Sequence, residues 1–179
     1  MRAALAATLA AYGQRWPEER AVVERFLALL EAREDCAERS CTDPGHLTGS
    51  AWILSPNGTA ALLTHHRKLD LWVQLGGHAD GELDLLAVAS REGLEESGLP
   101  SLELLSPAPF DLDIHTIPAR GDEPEHQHFD VRFIFRAPQQ AVIISDESHD
   151  LAWVPLTQMG SVTQEVSIAR MVGKTPSFL

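Results

Sequence analysis

Three glutamates, Glu92, Glu95 and Glu96, fall at positions i, i+3 and i+4. On a helix turning ~100° per residue, Glu92 and Glu96 point within about 40° of each other, and Glu95 lies one ridge over. Carboxylates that close repel one another and cost stability. A bound cation resolves the conflict, and a set of oxygen donors selects a hard ion such as Mg²⁺ or Mn²⁺. Arg91 stands four residues before Glu95, where it can pair with it and fix its rotamer. Alone, such a stretch more often marks a solvated helix face. The glycines Gly76 and Gly77 ahead of it change that reading. After a strand they give a tight loop whose backbone approaches a ligand or metal closely.

Other residues that could do chemistry are scattered. His65-His66-Arg67-Lys68 is a concentrated basic patch, and Arg67 there could steer phosphates into a site. His78, directly after Gly77, either touches a ligand or caps the loop. Trp72 and Trp153 read as core or pocket wall. Asp111, Asp113 and His115 alternate along one segment, and His126, His128 and Asp130 along another. If both are strands and pair, each trio faces one side. The expected result is a solvated polar sheet face, with a pocket lining or a transition-metal site as the alternative. Cys36, Cys41 and His46 form C-x4-C-x4-H, which lacks a fourth zinc ligand and reads as a pair of small buried thiols.

The elements that must position these groups follow from periodicity. Residues 2–15 are Ala-rich and helical. Pro17-Glu18-Glu19 opens a second helix, whose apolar stripe is Val22, Val23, Phe26, Leu27, Leu29 and Leu30. From Leu47 the pattern changes to strands. Ala51–Leu54 and Ala60–Leu63 flank Asn57-Gly58, a hairpin signal. Leu71–Leu75 reads as a short strand ending at Gly76-Gly77. Asp84–Ser97 is the clearest helix, with Asp84 as N-cap and Gly98 as a Schellman stop pairing Leu94 with Leu99. Strands are expected around Phe110–Ile117, His128–Phe135 and Leu151–Val154, and a last helix over Ser161–Val172. One central helix enclosed by strands, with helices outside, gives an α/β layered fold with a mixed sheet.

The chain has 179 residues, 44% hydrophobic and 22% charged, with net charge −12. That composition builds one core plus an extension and argues against disorder. The charge repels nucleic acid and anionic membranes, and it repels phosphorylated substrates unless cations sit in the site. No apolar run is long enough to span a bilayer. The Ala-rich start faintly resembles a signal peptide but passes directly into a helical pattern. Two cysteines make no disulfide scaffold, so a cytoplasmic location is expected.

The segment from Gly77 to Leu99 resembles the signature of the Nudix hydrolases, G-x5-E-x7-R-E-U-x-E-E-x-G-U, where U is a bulky aliphatic residue. Arg91, Glu92, Glu95, Glu96, Gly98 and Leu99 match in spacing, and Gly77 falls on the first glycine. The chain departs from the pattern twice. The family's first glutamate falls on Leu83, with Glu82 one residue early, and Gly93 stands at a U position, where it weakens the helix by ~1 kcal/mol relative to alanine. It also permits close helix–sheet packing. The resemblance implies a Nudix-like α/β/α sandwich with a mixed β-sheet. It divides the chain into an N-terminal helical extension, 1–46, and a Nudix domain with a C-terminal helix, 47–179. The extension would cover the core or form a homodimer interface.

The resemblance also implies the chemistry: hydrolysis of a phosphoanhydride in a nucleoside diphosphate derivative, with Mg²⁺ or Mn²⁺ on Glu92, Glu95 and Glu96. Such ions would neutralise the bridging oxygens and lower the pKa of a bound water. Gly76, Gly77, His78, Arg67 and Trp72 would contact substrate. A Glu-x5-Trp-like element follows the box in this family, and Glu147 with Trp153 has that spacing. Glu147 is thus the candidate general base. Two alternatives share the fold. A non-catalytic nucleotide sensor would tolerate a displaced Glu82. Isopentenyl diphosphate isomerases carry a catalytic cysteine in a Cys-Gly-His-Pro-like motif, where this chain has Gly76-Gly77-His78-Ala79, and the missing cysteine argues against isomerisation.

Overall fold

The computed structural model of the chain describes residues 1–66, 70–143 and 148–179. The N-terminal segment forms α1 (Arg2–Arg15) and α2 (Arg20–Ala32), with a single 3-10 turn at Pro17–Glu19 between them. Pro17 sits where a missing N–H costs nothing. Of the expected stripe on α2, Val23, Phe26, Leu29 and Leu30 are buried.

Among the described residues, eight strands make one mixed sheet. They are β1 (Gly45–Leu54), β2 (Ala60–His66), β3 (Leu71–Val73), β4 (Leu75–His78), β5 (Glu103–Leu104), β6 (Asp111–Ile117), β7 (His126–Arg136) and β8 (Ser148–Pro155). β1 is the axis. It runs parallel to β7 from end to end, pairs antiparallel with β4 along its first half, and meets β2 at its far end. The turn between β1 and β2 is the expected Asn57-Gly58, with Gly58 at φ 71° and the Asn57 side chain accepting from Thr59. β1 is buried throughout, because helices cover both faces.

Its alternation sorts the molecule into layers. Leu47, Ala51 and Ile53 face a core shared with α1, α2 and α3 (Leu85–Ser97). Trp52 and Leu54 face a second core, closed by Ile168 and Met171 of α4 (Val166–Lys174). The chain is therefore an α/β/α sandwich. No helix among the described residues is long and apolar enough to cross a membrane.

α3 starts where Asp84 accepts a hydrogen bond from the Ala87 N–H at 3.1 Å. It ends at Gly98, left-handed at φ 64°, whose N–H donates to Leu94 O at 2.9 Å. The ending is the simpler αL cap, since the Leu99 N–H goes to the Ser97 hydroxyl instead of back into the helix. Gly93 is a point of close approach between α3 and the sheet. A Cβ there would stand 3.0 Å from both Ala51 Cβ and Leu102 Cδ1.

Several expected boundaries change: the first strand begins at Gly45 instead of Ala51, and the last at Ser148 instead of Leu151. Leu71–Leu75 is divided between β3 and β4, and Gly76-Gly77 lie inside β4, paired with Ser50 and Gly49, instead of forming a loop. The last helix begins later, at Val166, after a separate 3-10 turn over Leu156–Ser161.

Candidate functional site

The helix α3 presents its glutamates to β4. Glu96 is 5% exposed, and its Oε2 accepts the Gly76 N–H at 3.2 Å. The Glu92 carboxylate lies on the bare side of Gly77. A Cβ at Gly77 would stand 2.5 Å from Glu92 Oε2 and 2.7 Å from Oε1, so a side chain would displace it. Gly76 is equally constrained on the other side, where a Cβ would come within 2.7 Å of Ser50 Cβ. Both glycines serve close approach within a strand, not a turn.

Arg91 sits between carboxylates. Its Nη1 is 2.6 Å from Glu92 Oε1 and 3.4 Å from Glu95 Oε2. Its closer partner is thus Glu92, not the Glu95 that helix spacing suggests. Glu95 stays at the rim, with its side chain 63% exposed. The donor set is all oxygen, one member seated on a glycine and one shielded by the sheet, which fits a hard divalent cation. Glu82 does different work. It is exposed, and its Oε1 accepts the Asp84 N–H at 2.7 Å, buttressing the start of α3, while Leu83 packs against the core.

The remaining candidates separate. Arg67, Lys68 and Glu147 lie outside the described residues. Trp72 is half-buried in β3 and stacks on His65 of β2, with ring centroids 5.1 Å apart and planes at 13°. Trp153 packs against the core and donates its indole N–H to Gln140 O. Cys36 and Cys41 are buried free thiols, and burial raises both above the ordinary thiol value, which disfavours the thiolates zinc would need. His46 donates its Nδ1–H to Cys41 O at 3.0 Å.

β6 and β7 pair in the register that joins the two polar trios, Asp113 opposite Asp130 and His115 opposite His128. The expected solvated face is instead buried. Asp111 is 0% exposed and Asp130 1%. The reason is a set of partners that sequence reading missed. Asp130 accepts from Thr48 and Ser50 of β1, from Gln74, and from Arg132 Nε at 2.7 Å. Arg132 also reaches Asp111 at 3.1 Å and Asp113 at 3.2 Å. Arg170 and Lys174 of α4 close on Asp111 at 2.8 and 2.7 Å. Lys174 bonds the Tyr12 hydroxyl, tying α1 to the same network, where burial pushes that phenol far above its ordinary value. The available signal was Arg132 alternating with Val131 and Phe133 in an apolar strand.

At the open end of this face, His46, His78, His115, His126 and His128 crowd together. His128 lies 4.8 to 5.4 Å, between ring centroids, from each of the other four. Burial, then its imidazole neighbours, push His128 down to about 2. Burial likewise lowers His46.

Comparison with known proteins agrees with this architecture. Three solved structures cover most of their own length on this chain. A dihydroneopterin triphosphate pyrophosphohydrolase from E. coli shares 14% identity over 72% of this chain and 92% of its own, with TM-score 0.58. A Nudix-family hydrolase from Clostridium perfringens shares 21% over 75% and 98%, with TM-score 0.54. The Nudix domain of Shewanella oneidensis NrtR, complexed with ADP ribose, shares 19% over 73% and 86%, with TM-score 0.52. At these identities the likeness concerns the fold. None of the curated proteins matches the chain. The model of the NUDIX domain matches residues 45–172, from the first residue of β1 to within α4. The chain belongs to the Nudix family.

Proposed function

We propose that this chain is a divalent-metal-dependent pyrophosphohydrolase acting on a nucleoside diphosphate derivative. One observation carries the reading: Glu92 and Glu96 are both seated against the Gly76-Gly77 strand, at the spacing of the family's box. Glu92 and Glu96 would hold Mg²⁺ or Mn²⁺, with Glu95 joining from the rim. When bound, such an ion neutralises diphosphate oxygens and makes a bound water acidic.

The chain's own residues supply the rest. Arg91 orients Glu92. The glycines bring backbone to the reacting group. Trp72 contacts the nucleotide through its ring face, beside His65. Arg67 steers phosphate toward the site, and Glu147 takes the proton from the attacking water. The site is cytoplasmic in this reading, and a homodimer through the N-terminal helices is compatible with it.

The test is product release from a panel of nucleoside triphosphates, nucleoside diphosphate sugars and dinucleoside polyphosphates, with Mg²⁺ or Mn²⁺, beside Glu96→Gln. Metal-dependent turnover that the substitution abolishes is the expected result. A second reading is favoured by Glu82, which bonds the Asp84 backbone. On that reading the domain binds a nucleotide without cleaving it, as a sensor. Tight binding with no turnover on any substrate, metal present, would select it.

A further inference from the structure

The imidazoles on the opposite face of the sheet are unaccounted for by the carboxylate site. Three of them come from three adjacent strands. His46 on β1 is in register with His128 on β7, and the neighbouring Thr48 is in register with His78 on β4. One ligand atom from each of His46, His78 and His128 falls within 4.8 Å of the others. Tetrahedral zinc with Zn–N of 2.0–2.1 Å needs nitrogens roughly 3.3 Å apart, so small side-chain rotations close the gap.

The strand pleat separates this cluster from the glutamates. Gly77 turns its bare side to Glu92, and His78, the next residue, projects to the other face. The rings are also prepared. The His46 Nδ1–H is committed to Cys41 O, so the lone pair is on Nε2. That Nε2 is buried with no hydrogen-bond partner among the described residues, as is Nε2 of His128. A buried acceptor left without a partner is destabilising. A ligating histidine that anchors its other nitrogen on a backbone carbonyl is the usual support for a metal. Arg39, held by Asp80 at 3.1 Å, donates to His78 Nδ1 at 3.0 Å, so ligation by His78 requires that ring to release Arg39 and turn its lone pair inward.

We propose that His46, His78 and His128 form a second metal site, for a transition-metal ion of the Zn²⁺ class, on the sheet face opposite the glutamates. Imidazole donors favour such ions over Mg²⁺. Three protein ligands leave one coordination position open for water or an anionic oxygen. His126 is next in line. Its Nδ1 is bonded to Pro124 O, and its ring is 5.0 Å from His46.

The experiment titrates chelator-treated, full-length protein with Co²⁺ in excess Mg²⁺, which occupies the oxygen site. One equivalent per chain, with a visible ligand-field band displaced by Zn²⁺, is expected. His78→Gln and His128→Gln should each weaken binding by about 10–100-fold or more, the range known even for residues that only support a ligand. Glu96→Gln should leave the band in place. Should His128→Gln not fold, His78→Gln and zinc-shifted imidazole ¹⁵N resonances of the wild-type protein decide the matter. Absence of a band in the wild type, or a band lost in Glu96→Gln but kept in His78→Gln, would overturn the proposal.

Discussion

The molecule holds two clusters of acids, one on each side of its sheet, and they are built in opposite ways. Asp111, Asp113 and Asp130 come from paired strands and meet cations that the chain itself provides: Arg132, Arg170 and Lys174. Asp111 and Arg132 are closed off from solvent. Glu92, Glu95 and Glu96 follow one another along a single helix and share Arg91 from that same helix, with Glu95 largely exposed. The first cluster is neutralised internally and closed. The second keeps three carboxylates crowded along one helix, from buried Glu96 out to Glu95 at the open rim. Charge compensation from within reads as architecture, and crowding at a rim reads as a place for an external cation.

The sharpest way to break this comparison is to exchange the consequences. Asp111→Ala leaves Lys174 and Arg132 short of a buried partner. It should cost about 3–5 kcal/mol in denaturant unfolding, the range for breaking a buried pair, without changing divalent-ion affinity at the glutamates. A loss under ~1 kcal/mol would mean that the aspartates are as replaceable as surface acids. Glu96→Gln should do the reverse. Turnover should fall on the order of 10²–10³-fold, as when a single transition-state contact is removed. Stability should hold or rise, because a like charge leaves and the amide oxygen can still accept from Gly76.

Gly77→Ala probes how the open cluster is seated. The new Cβ would meet the end of the Glu92 side chain, which can swing aside, so the fold should tolerate it. The ligand would be misplaced, and Mg²⁺ affinity measured by calorimetry should drop about tenfold, at the low end for disturbed ligand support. Unchanged affinity would show that Glu92 does not need its glycine seat.

Legibility in the sequence divides along the same line. The glutamates share one helix, so local spacing predicted their common face, and the caps at Asp84 and Gly98 were readable for the same reason. Sheet pairing is nonlocal. That Thr48, Ser50 and Gln74 converge on Asp130 depends on β1 lying between β4 and β7, which no period reveals. The polar alternation of β6 and β7 was visible, but its burial depended on Arg132 and on α4. His46 was read with its sequence neighbours Cys36 and Cys41, whereas the strands place it beside His78 and His128. Gly76-Gly77 read in the sequence as a loop that approaches a ligand or metal, whereas they lie in a paired strand against Ser50 and Glu92, since a paired strand and a turn demand the same residue.

The smallest effect expected is in the acid limb of stability, and its sign follows from the closed cluster. Burial alone would raise Asp113, but the His115 hydrogen bond and then Arg132 and Arg170 overcome it and hold the carboxyl well below its ordinary value. The unfolded chain therefore takes up a proton below pH ~3.9 that the native state resists. The contribution is complete above that pH and is lost as the pH falls toward the native value, at up to about 1.4 kcal/mol per pH unit. His128 adds an earlier limb in chelated protein. Burial holds its folded-state value below the ordinary one, so the unfolded state takes up this proton first and stability again falls as the pH drops below ~6.5. Urea midpoints between pH 7 and 3 should show a shallow decline first and a steeper one below 4. Asp113→Asn should flatten only the second part. If it flattens neither, the charge of Asp113 is not what its buried cations hold, and the contrast between the two clusters fails at its stronger end.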